Sequence, residues 1–190
     1  KNCFNNSKQI IMKTNIYVNK LISIFFLLFL TSNVFSQEWE ANDFASELLM
    51  PEDTIRKVTY RRKFSPDLVK ELSERFKTSL TSIIYRLLTL NIYPLFVVFI
   101  NNGAVKYWSK SDGYWIKIKD ITKLGPPEDS VAQEYIDAKY DFLYSSSDKA
   151  QQIYKSTWFE LKDDEDDSVF FEYCIPYKQL KTIISVVWEY

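Results

Sequence analysis

The chain has 190 residues, of which 46% are hydrophobic and 17% aromatic, and its formal net charge is −1. This length and composition allow one or two compact domains with a real core and exclude an intrinsically disordered protein. The chain contains three glycines and no histidine, and it has no glycine-rich phosphate-binding motif.

The N-terminal 37 residues differ from the rest and are predicted to be a signal-peptide-like or mis-framed segment. Lysines precede an apolar run at 21–30, and the small residues Val34 and Ser36 stand before Gln37. The run is short for a membrane span, although an uncleaved anchor or a buried helix remains an alternative. We expect these residues to pack little against the domain and to offer a membrane contact only through 12–36.

Residues 38–50 are predicted to form one amphipathic helix that ends at Pro51. The four-residue spacing of Glu38 and Asn42 places both on one face of that helix. A carboxylate is a hard oxygen ligand suited to zinc, and an amide one turn further is suited to orienting a metal-bound imidazole. The spacing alone is equally compatible with an ordinary solvated helix surface.

Two further helices are predicted before residue 92. The first spans 65–77, with Ser65 as N-cap and Pro66 at the first position. The second begins after Thr78 or Ser79 and stops at Asn91.

Two short helices joined by a tight turn are typical of a helix-turn-helix. Residues 54–86 carry nine basic and three acidic side chains, a net charge of +6, which suits an anionic partner or a solvated surface. The exposed face of the second helix would offer Thr81, Ser82, Tyr85 and Arg86. This set is poor for reading bases, so helix packing is favoured over DNA binding.

The region from residue 93 onward shows strand periodicity. Strands are predicted at 95–100 and 104–109 around an Asn101-Asn102-Gly103 turn, a helix at 128–143, and strands at 156–161 and 169–174. Residues 181–190 are apolar on both faces, which predicts a central buried strand. The fold class is therefore α+β, with helices first and a mainly antiparallel sheet after them.

A cysteine and an acidic loop in this half of the chain are candidate functional features. Cys174 is predicted to be a small buried apolar residue. The acidic loop between the predicted strands at 156–161 and 169–174 is compatible with calcium binding. It lacks the spacing of an EF-hand, however, and is better interpreted as a solvated hairpin tip. Its acidic residues are Asp163, Asp164, Glu165, Asp166 and Asp167.

The stretch "EWEANDFASELLMP" resembles the ImmA/IrrE family of zinc metallopeptidases. In that family a His-Glu-x-x-His helix is followed by Glu-x-x-Ala-Asn-x-Phe-Ala-x-x-Leu-Leu-Met-Pro, and Glu38, Asn42 and Pro51 stand at matching places. "ELSERFKTSLTSIIYRLLTLNI" looks like the family's helix-turn-helix segment. The strands from residue 93 onward look like its C-terminal sheet, which is GAF-like in some members.

The resemblance implies a zinc enzyme that cleaves repressor-type transcriptional regulators in the cytoplasm. It makes Glu38 the third zinc ligand and Asn42 the residue that orients a ligand. The chain departs from the family because no His-Glu-x-x-His motif is present. Two zinc ligands and the general base are therefore missing, and the chain is expected to be catalytically inactive and to hold no zinc.

Three interpretations of this departure stay open. The chain is a fragment or a degenerate form of such a peptidase, which the start at Lys1 instead of methionine favours. Alternatively it is a non-enzymatic module that binds a protein or a small ligand, or an exported protein that carries the domain behind a true signal. The predicted organisation is a segment at 1–37, a metallopeptidase remnant with the helix pair at 38–92, and a sensor-like GAF-like domain at 93–190.

Overall fold

The computed structural model describes residues 44–121, 123–144 and 149–189. The chain divides into two compact units, Lys1–Leu49 and Met50–Tyr190. Of the first unit, residues 44–49 are described, and they are helical. The second unit contains helices α1 (Glu52–Thr59), α2 (Pro66–Phe76), α3 (Leu80–Thr89), α4 (Val131–Asp137) and α5 (Lys155–Trp158), and strands β1 (Leu95–Asn101), β2 (Ala104–Lys110), β3 (Lys117–Ile118), β4 (Ala150–Tyr154), β5 (Phe159–Glu160), β6 (Val169–Tyr177) and β7 (Thr182–Trp188).

Local capping chemistry sets the bounds of α2 and α3 as predicted. Ser65 accepts a hydrogen bond from the Leu68 amide at 3.2 Å, and Pro66 occupies the first helical position. Ser79 accepts from the Ser82 amide at 3.0 Å. Past the end of α3, Asn91 takes a positive φ of 52°, a conformation that asparagine tolerates at a helix terminus.

Five strands form one antiparallel sheet in the order β2-β1-β7-β6-β4. The Asn101-Asn102-Gly103 segment closes the β1–β2 hairpin, with φ of 50° at Asn102 and 74° at Gly103. Every residue of β7 is buried, which confirms that the last strand is central. The α+β prediction is therefore confirmed, and a separate two-stranded sheet pairs β3 with β5.

The large sheet separates two hydrophobic cores because its residues alternate between faces. Leu95 and Val97 join a core with α1, α2 and α3, and we call this side the α1–α3 face. Phe96 and Val98 join a core with α4 and α5, which we call the α4 face. Burial on both faces explains the continuous apolar run of β7.

The sequence patterns miss α1, because they treat Pro51 only as the end of a helix. Pro51 is the N-cap residue of α1, and Glu52 and Asp53 follow in its first turn. Acidic side chains are favourable there because the helix N-terminus carries partial positive charge. The same proline therefore separates two helical segments and begins the second.

The predicted helix at 128–143 is confined to Val131–Asp137. Lys139 and Tyr140 adopt φ values of 55° and 62°, in the left-handed region where an α-helix cannot continue. Phe142, within the predicted range, is 81% exposed. The C-terminal half of that prediction is wrong.

The predicted strand at 156–161 is wrong in its first half. Residues Lys155–Trp158 are helical and only Phe159–Glu160 are a strand. The turn is held by Asp167, whose carboxylate accepts from the Ser156 amide at 2.8 Å and from the Ser156 hydroxyl at 2.6 Å. These contacts outweigh the strand preference of the sequence. Strand β4 is not predicted either, since "AQQIY" contains few strand-forming residues.

Candidate functional site

The proposed zinc half-site falls outside the described residues. Glu38 and Asn42 belong to the part of the chain about which the structure says nothing, so their common helix face stays a prediction. The end of that predicted helix is described, since residues 44–49 are helical. Phe44 and Leu48, in this short segment, are each 69% exposed.

The described residues contain no group of three or more His, Cys, Asp and Glu side chains placed to hold a metal. In the acidic loop, the carboxylates of Glu165 and Asp167 are used in closing the loop itself. Glu165 accepts from the Lys162 amide at 3.0 Å and pairs with Lys155. The hydrogen bond from Lys155 is the main cause that lowers the pKa of Glu165. The loop is therefore a structural turn in the described part of the chain.

The helix pair packs its supposed DNA-reading face against the rest of the protein. Arg86 is buried and donates from Nε to the Met50 carbonyl at 3.0 Å. Thr81 shares a hydrogen bond with the Tyr177 hydroxyl at 2.8 Å, and Tyr85 donates to the Tyr107 hydroxyl at 3.4 Å. The expectation that Arg86 is exposed is wrong, because its guanidinium satisfies a backbone carbonyl. This face of α3 is poorly suited to base recognition, which needs free side chains.

A buried polar cluster surrounds Glu172, which the sequence analysis does not single out. Glu172 lies on β6 and is fully buried. Its Oε2 accepts from the Val131 amide at 2.9 Å and from the Trp158 indole at 3.2 Å. Its Oε1 accepts from the Ala132 amide at 3.2 Å and from the Ser185 hydroxyl at 2.6 Å. We call these five residues the carboxylate cluster.

The carboxylate cluster joins four elements of the α4 face. Val131 and Ala132 begin α4, Trp158 ends α5, and Ser185 lies on the central strand β7. Burial is the largest influence on Glu172 and raises its pKa, although the hydrogen bonds act in the opposite direction. The two amides, the indole and the hydroxyl all point to one carboxylate, so the arrangement fixes the layers to one another.

Cys174 lies two residues further along the same face of β6. Its thiol is buried and is within 3.5 Å of Glu172 Oε1, and burial is the first cause that raises its pKa. A thiol of this kind is inert because the thiolate is the nucleophile. The prediction of a small buried residue is confirmed. The spacing Phe170, Glu172, Cys174 is the sequence signal that places an acid on an apolar strand face.

The similarity to a known protein family lies in residues 29–88. Residues 29–88 match the family model of the IrrE N-terminal-like domain. The matched range includes Glu38, Asn42, α1, α2 and nearly all of α3. A comparison with curated proteins finds no significant match.

The molecule is therefore an α+β protein in which α1, α2 and α3, which lie almost wholly within the matched range, pack on an antiparallel sheet. The match at 29–88 supports membership of the ImmA/IrrE family of metallopeptidases, a family that depends on zinc in general. A catalytic zinc needs about three protein ligands. The described residues do not fit one, and the whole chain has no histidine. No helix in the described part of the chain is long and apolar enough to cross a membrane.

Proposed function

We propose that this chain is the regulator-binding part of an ImmA/IrrE-type metallopeptidase and has no hydrolytic activity of its own. The observation that carries the proposal is the family match at 29–88 in a chain without histidine. Peptidases of this kind need imidazole ligands and a glutamate base beside them. Glu38 alone does not replace that set.

The way in which the helices meet the sheet supports a binding role. Leu72 of α2 and Leu87 of α3 share one core with Val186 and Trp188 of β7. Helices α2 and α3 of the matched range are therefore joined to the sheet through a continuous apolar interface. Such an interface gives a rigid scaffold for holding a partner, and the partner implied by the family is a repressor-type transcriptional regulator of the cytoplasm.

A non-enzymatic module that binds a small ligand is the second candidate. A cleft of about 200 Å³ lined by Phe64, Tyr93 and Trp188 favours it. A GAF-like sensor role of the sheet domain belongs to this candidate. Export would require a different partner and rests on residues 12–36, which lie outside the described part of the chain.

The test is zinc calorimetry on the full 190-residue chain together with a cleavage assay on fluorescent casein. We expect zinc affinity no tighter than about millimolar, which corresponds to roughly −4 kcal/mol, and no cleavage with added zinc. The variant Glu38→Gln should behave like the parent, and so should its matched control, Glu40→Gln. Micromolar zinc binding that Glu38→Gln abolishes and Glu40→Gln retains would overturn the proposal.

A further inference from the structure

Strands β2 and β4 form the two edges of the five-stranded sheet, and the β2 edge is protected against pairing with another chain. Tyr107 pairs with Phe99 and Val105 with Ile100, so Lys106 is an extra residue that bulges from the strand. A passing loop also covers the start of β2, because the Val105 amide donates to the Leu124 carbonyl at 2.8 Å. An edge lysine, a bulge and a covering loop are means by which proteins prevent edge-to-edge pairing.

Strand β4, at the opposite edge, shows none of these features in the part of the chain that the structure describes. Its sequence, AQQIY at 150–154, contains no charged residue, proline or glycine. Its backbone pairs with β6 on one side, and no described residue outside β6 makes a backbone hydrogen bond to it. The outer side of β4 therefore presents amide and carbonyl groups that another strand can pair with.

Apolar side chains beside this edge are exposed as well. Alternation along β4 places Gln152 and Tyr154 on the α1–α3 face, since Ile153 joins the core of the α4 face. Tyr154 is 61% exposed, and its partner across the strand pair, Val169 of β6, is 47% exposed. The edge thus combines available backbone groups with an exposed apolar strip, a combination that marks an interaction surface.

The sequence of β4 suits a second copy of the same strand. In antiparallel pairing centred on Gln152, each Gln152 faces its equivalent, and Ala150 faces the second copy's Tyr154. On the other face of the sheet, Gln151 faces the second copy's Ile153. Small side chains therefore meet large ones, and no like charges lie directly opposite each other within the strand.

The lysines that flank β4 are compatible with this pairing. In the same register Lys149 would face the second copy's Lys155. Lys155, however, begins α5 and so leaves the strand, and Glu165 pairs with it and offsets its charge. The repulsion at the two ends of the paired strands is therefore reduced.

We infer that the β4 edge is a dimerisation surface, at which two copies of the chain pair β4 with β4 antiparallel and join their sheets into one. A twofold contact of this kind uses the β4 edge of both copies and leaves the protected β2 strands outside, so the assembly closes at two chains. Because β4 has only 5 residues, the interface is small and the dimer should be reversible. The inference goes beyond the proposed function, since it needs neither zinc nor the residues before 44.

Sedimentation velocity on the full 190-residue chain tests whether it dimerises. The parent should shift from the mass of one chain to the mass of two between about 5 μM and about 500 μM, as expected for a small, reversible interface. A parent that stays monomeric, or one that continues to larger assemblies, would overturn the inference. If a monomeric parent instead binds a labelled AQQIY peptide, the edge serves a strand of another protein and the assignment to a second copy is wrong.

Opposite charges at Gln152 separate self-pairing from any other contact. Gln152→Lys and Gln152→Glu each place like charges opposite one another and should each weaken dimerisation about fivefold, whereas their equimolar mixture should recover mixed dimers. Gln152 is exposed, so both variants should remain folded, which urea unfolding verifies. The matched controls Gln179→Lys and Gln179→Glu, at an exposed glutamine between β6 and β7, should dimerise like the parent. A mixture that associates no better than its components would refute self-pairing.

A cysteine cross-link tests the register. With Cys3→Ser in place, Gln152→Cys brings two thiols together at the twofold axis, because paired residues of antiparallel strands have Cα atoms about 4.5 to 5.5 Å apart, which a disulfide spans. Mild oxidation should link this variant into a covalent dimer and leave the control Gln179→Cys monomeric. The buried Cys174 thiol is common to both proteins. Equal cross-linking of the two variants would show that the contact is not centred on β4.

Discussion

The two faces of the five-stranded sheet are both buried, but different interactions hold them. The core of the α1–α3 face is made of apolar side chains, and its buried polar residues Thr59 and Arg86 bond to backbone carbonyls. The α4 face instead surrounds a carboxylate, Glu172, which receives five hydrogen bonds, the longest from the Cys174 thiol at 3.5 Å. The α1–α3 face is therefore stabilised mainly by close packing of apolar side chains, and the α4 face also by hydrogen bonds to a buried carboxylate.

The largest effect is expected from removing the carboxylate on the α4 face. Glu172→Leu keeps a similar volume but leaves two amides, an indole and a hydroxyl without an acceptor, and should lower the free energy of unfolding by about 4 kcal/mol. Urea unfolding measures the change. Glu172→Gln, which keeps one acceptor oxygen, should lose less, and the exposed control Glu74→Leu should lose almost nothing. A loss in Glu172→Leu as small as in Glu74→Leu would show that the cluster contributes no stability.

A volume change should dominate on the α1–α3 face. Leu72 is fully buried on α2, and Leu72→Ala should cost about 3 kcal/mol through lost burial and the cavity left behind. The matched control is Leu180→Ala, at a side chain that is 67% exposed. The cost of Leu72→Ala should be the same at pH 5 and pH 8, because no titratable group is removed. If the loss of unfolding free energy in Leu72→Ala changed with pH, the proposed difference between the two faces would be wrong.

The pH dependence of stability should come from the α4 face. Burial raises the pKa of Glu172 above the ordinary value of 4.5. Between pH 4.5 and the raised value, the folded protein therefore retains a proton that the unfolded chain has released. This stabilisation is fully present below pH 4.5 and is lost as pH rises through the raised value, with a slope of at most about 1.4 kcal/mol per pH unit.

The measurement is a series of urea titrations between pH 4 and pH 9 on the parent and on Glu172→Gln. Parent stability minus variant stability should fall with rising pH, and the same difference for Leu72→Ala, which removes no titratable group, should stay flat. A parent-minus-variant difference that rises with pH would mean that the hydrogen bonds of the cluster outweigh burial.

The smallest effect concerns a helix cap on the α1–α3 face. Ser65→Ala removes the acceptor for the Leu68 amide at the start of α2 and should cost about 1 kcal/mol. Ser65→Asp supplies a carboxylate acceptor at the same position and should restore most of the stability. Thermal unfolding of the three proteins provides the check. Equal melting temperatures for parent and Ser65→Ala would show that the cap is dispensable.

Sequence patterns predict best the elements that depend on their own residues. Ser65 and Ser79 cap helices with side chains that lie within the same turn, and the Asn101-Asn102-Gly103 turn needs only local backbone freedom. The apolar run of β7 likewise predicts a central strand. These are short-range rules, and tertiary packing did not override them.

The elements that sequence reasoning misses depend on distant partners. Arg86 looks like an exposed helix residue until Met50, 36 positions earlier, is placed beside it. Glu172 looks like an ordinary strand acid until α4, Trp158 and Ser185 surround it. The zinc half-site at Glu38 and Asn42 remains a prediction, since it lies outside the described residues.

The position of β7 has a consequence for how the chain is made. β7 pairs with both β1 and β6, and Val98 of β1 faces Ser185 of β7, 87 positions later. During synthesis, the β1–β2 and β4–β6 ribbons are therefore complete before the strand that joins them exists. Two-stranded ribbons are marginally stable alone, and their open edges pair readily with other chains. We therefore expect the nascent chain to be prone to aggregation until residues 182–188 are available, because insertion of this single strand pairs the open edges of β1 and β6 at once.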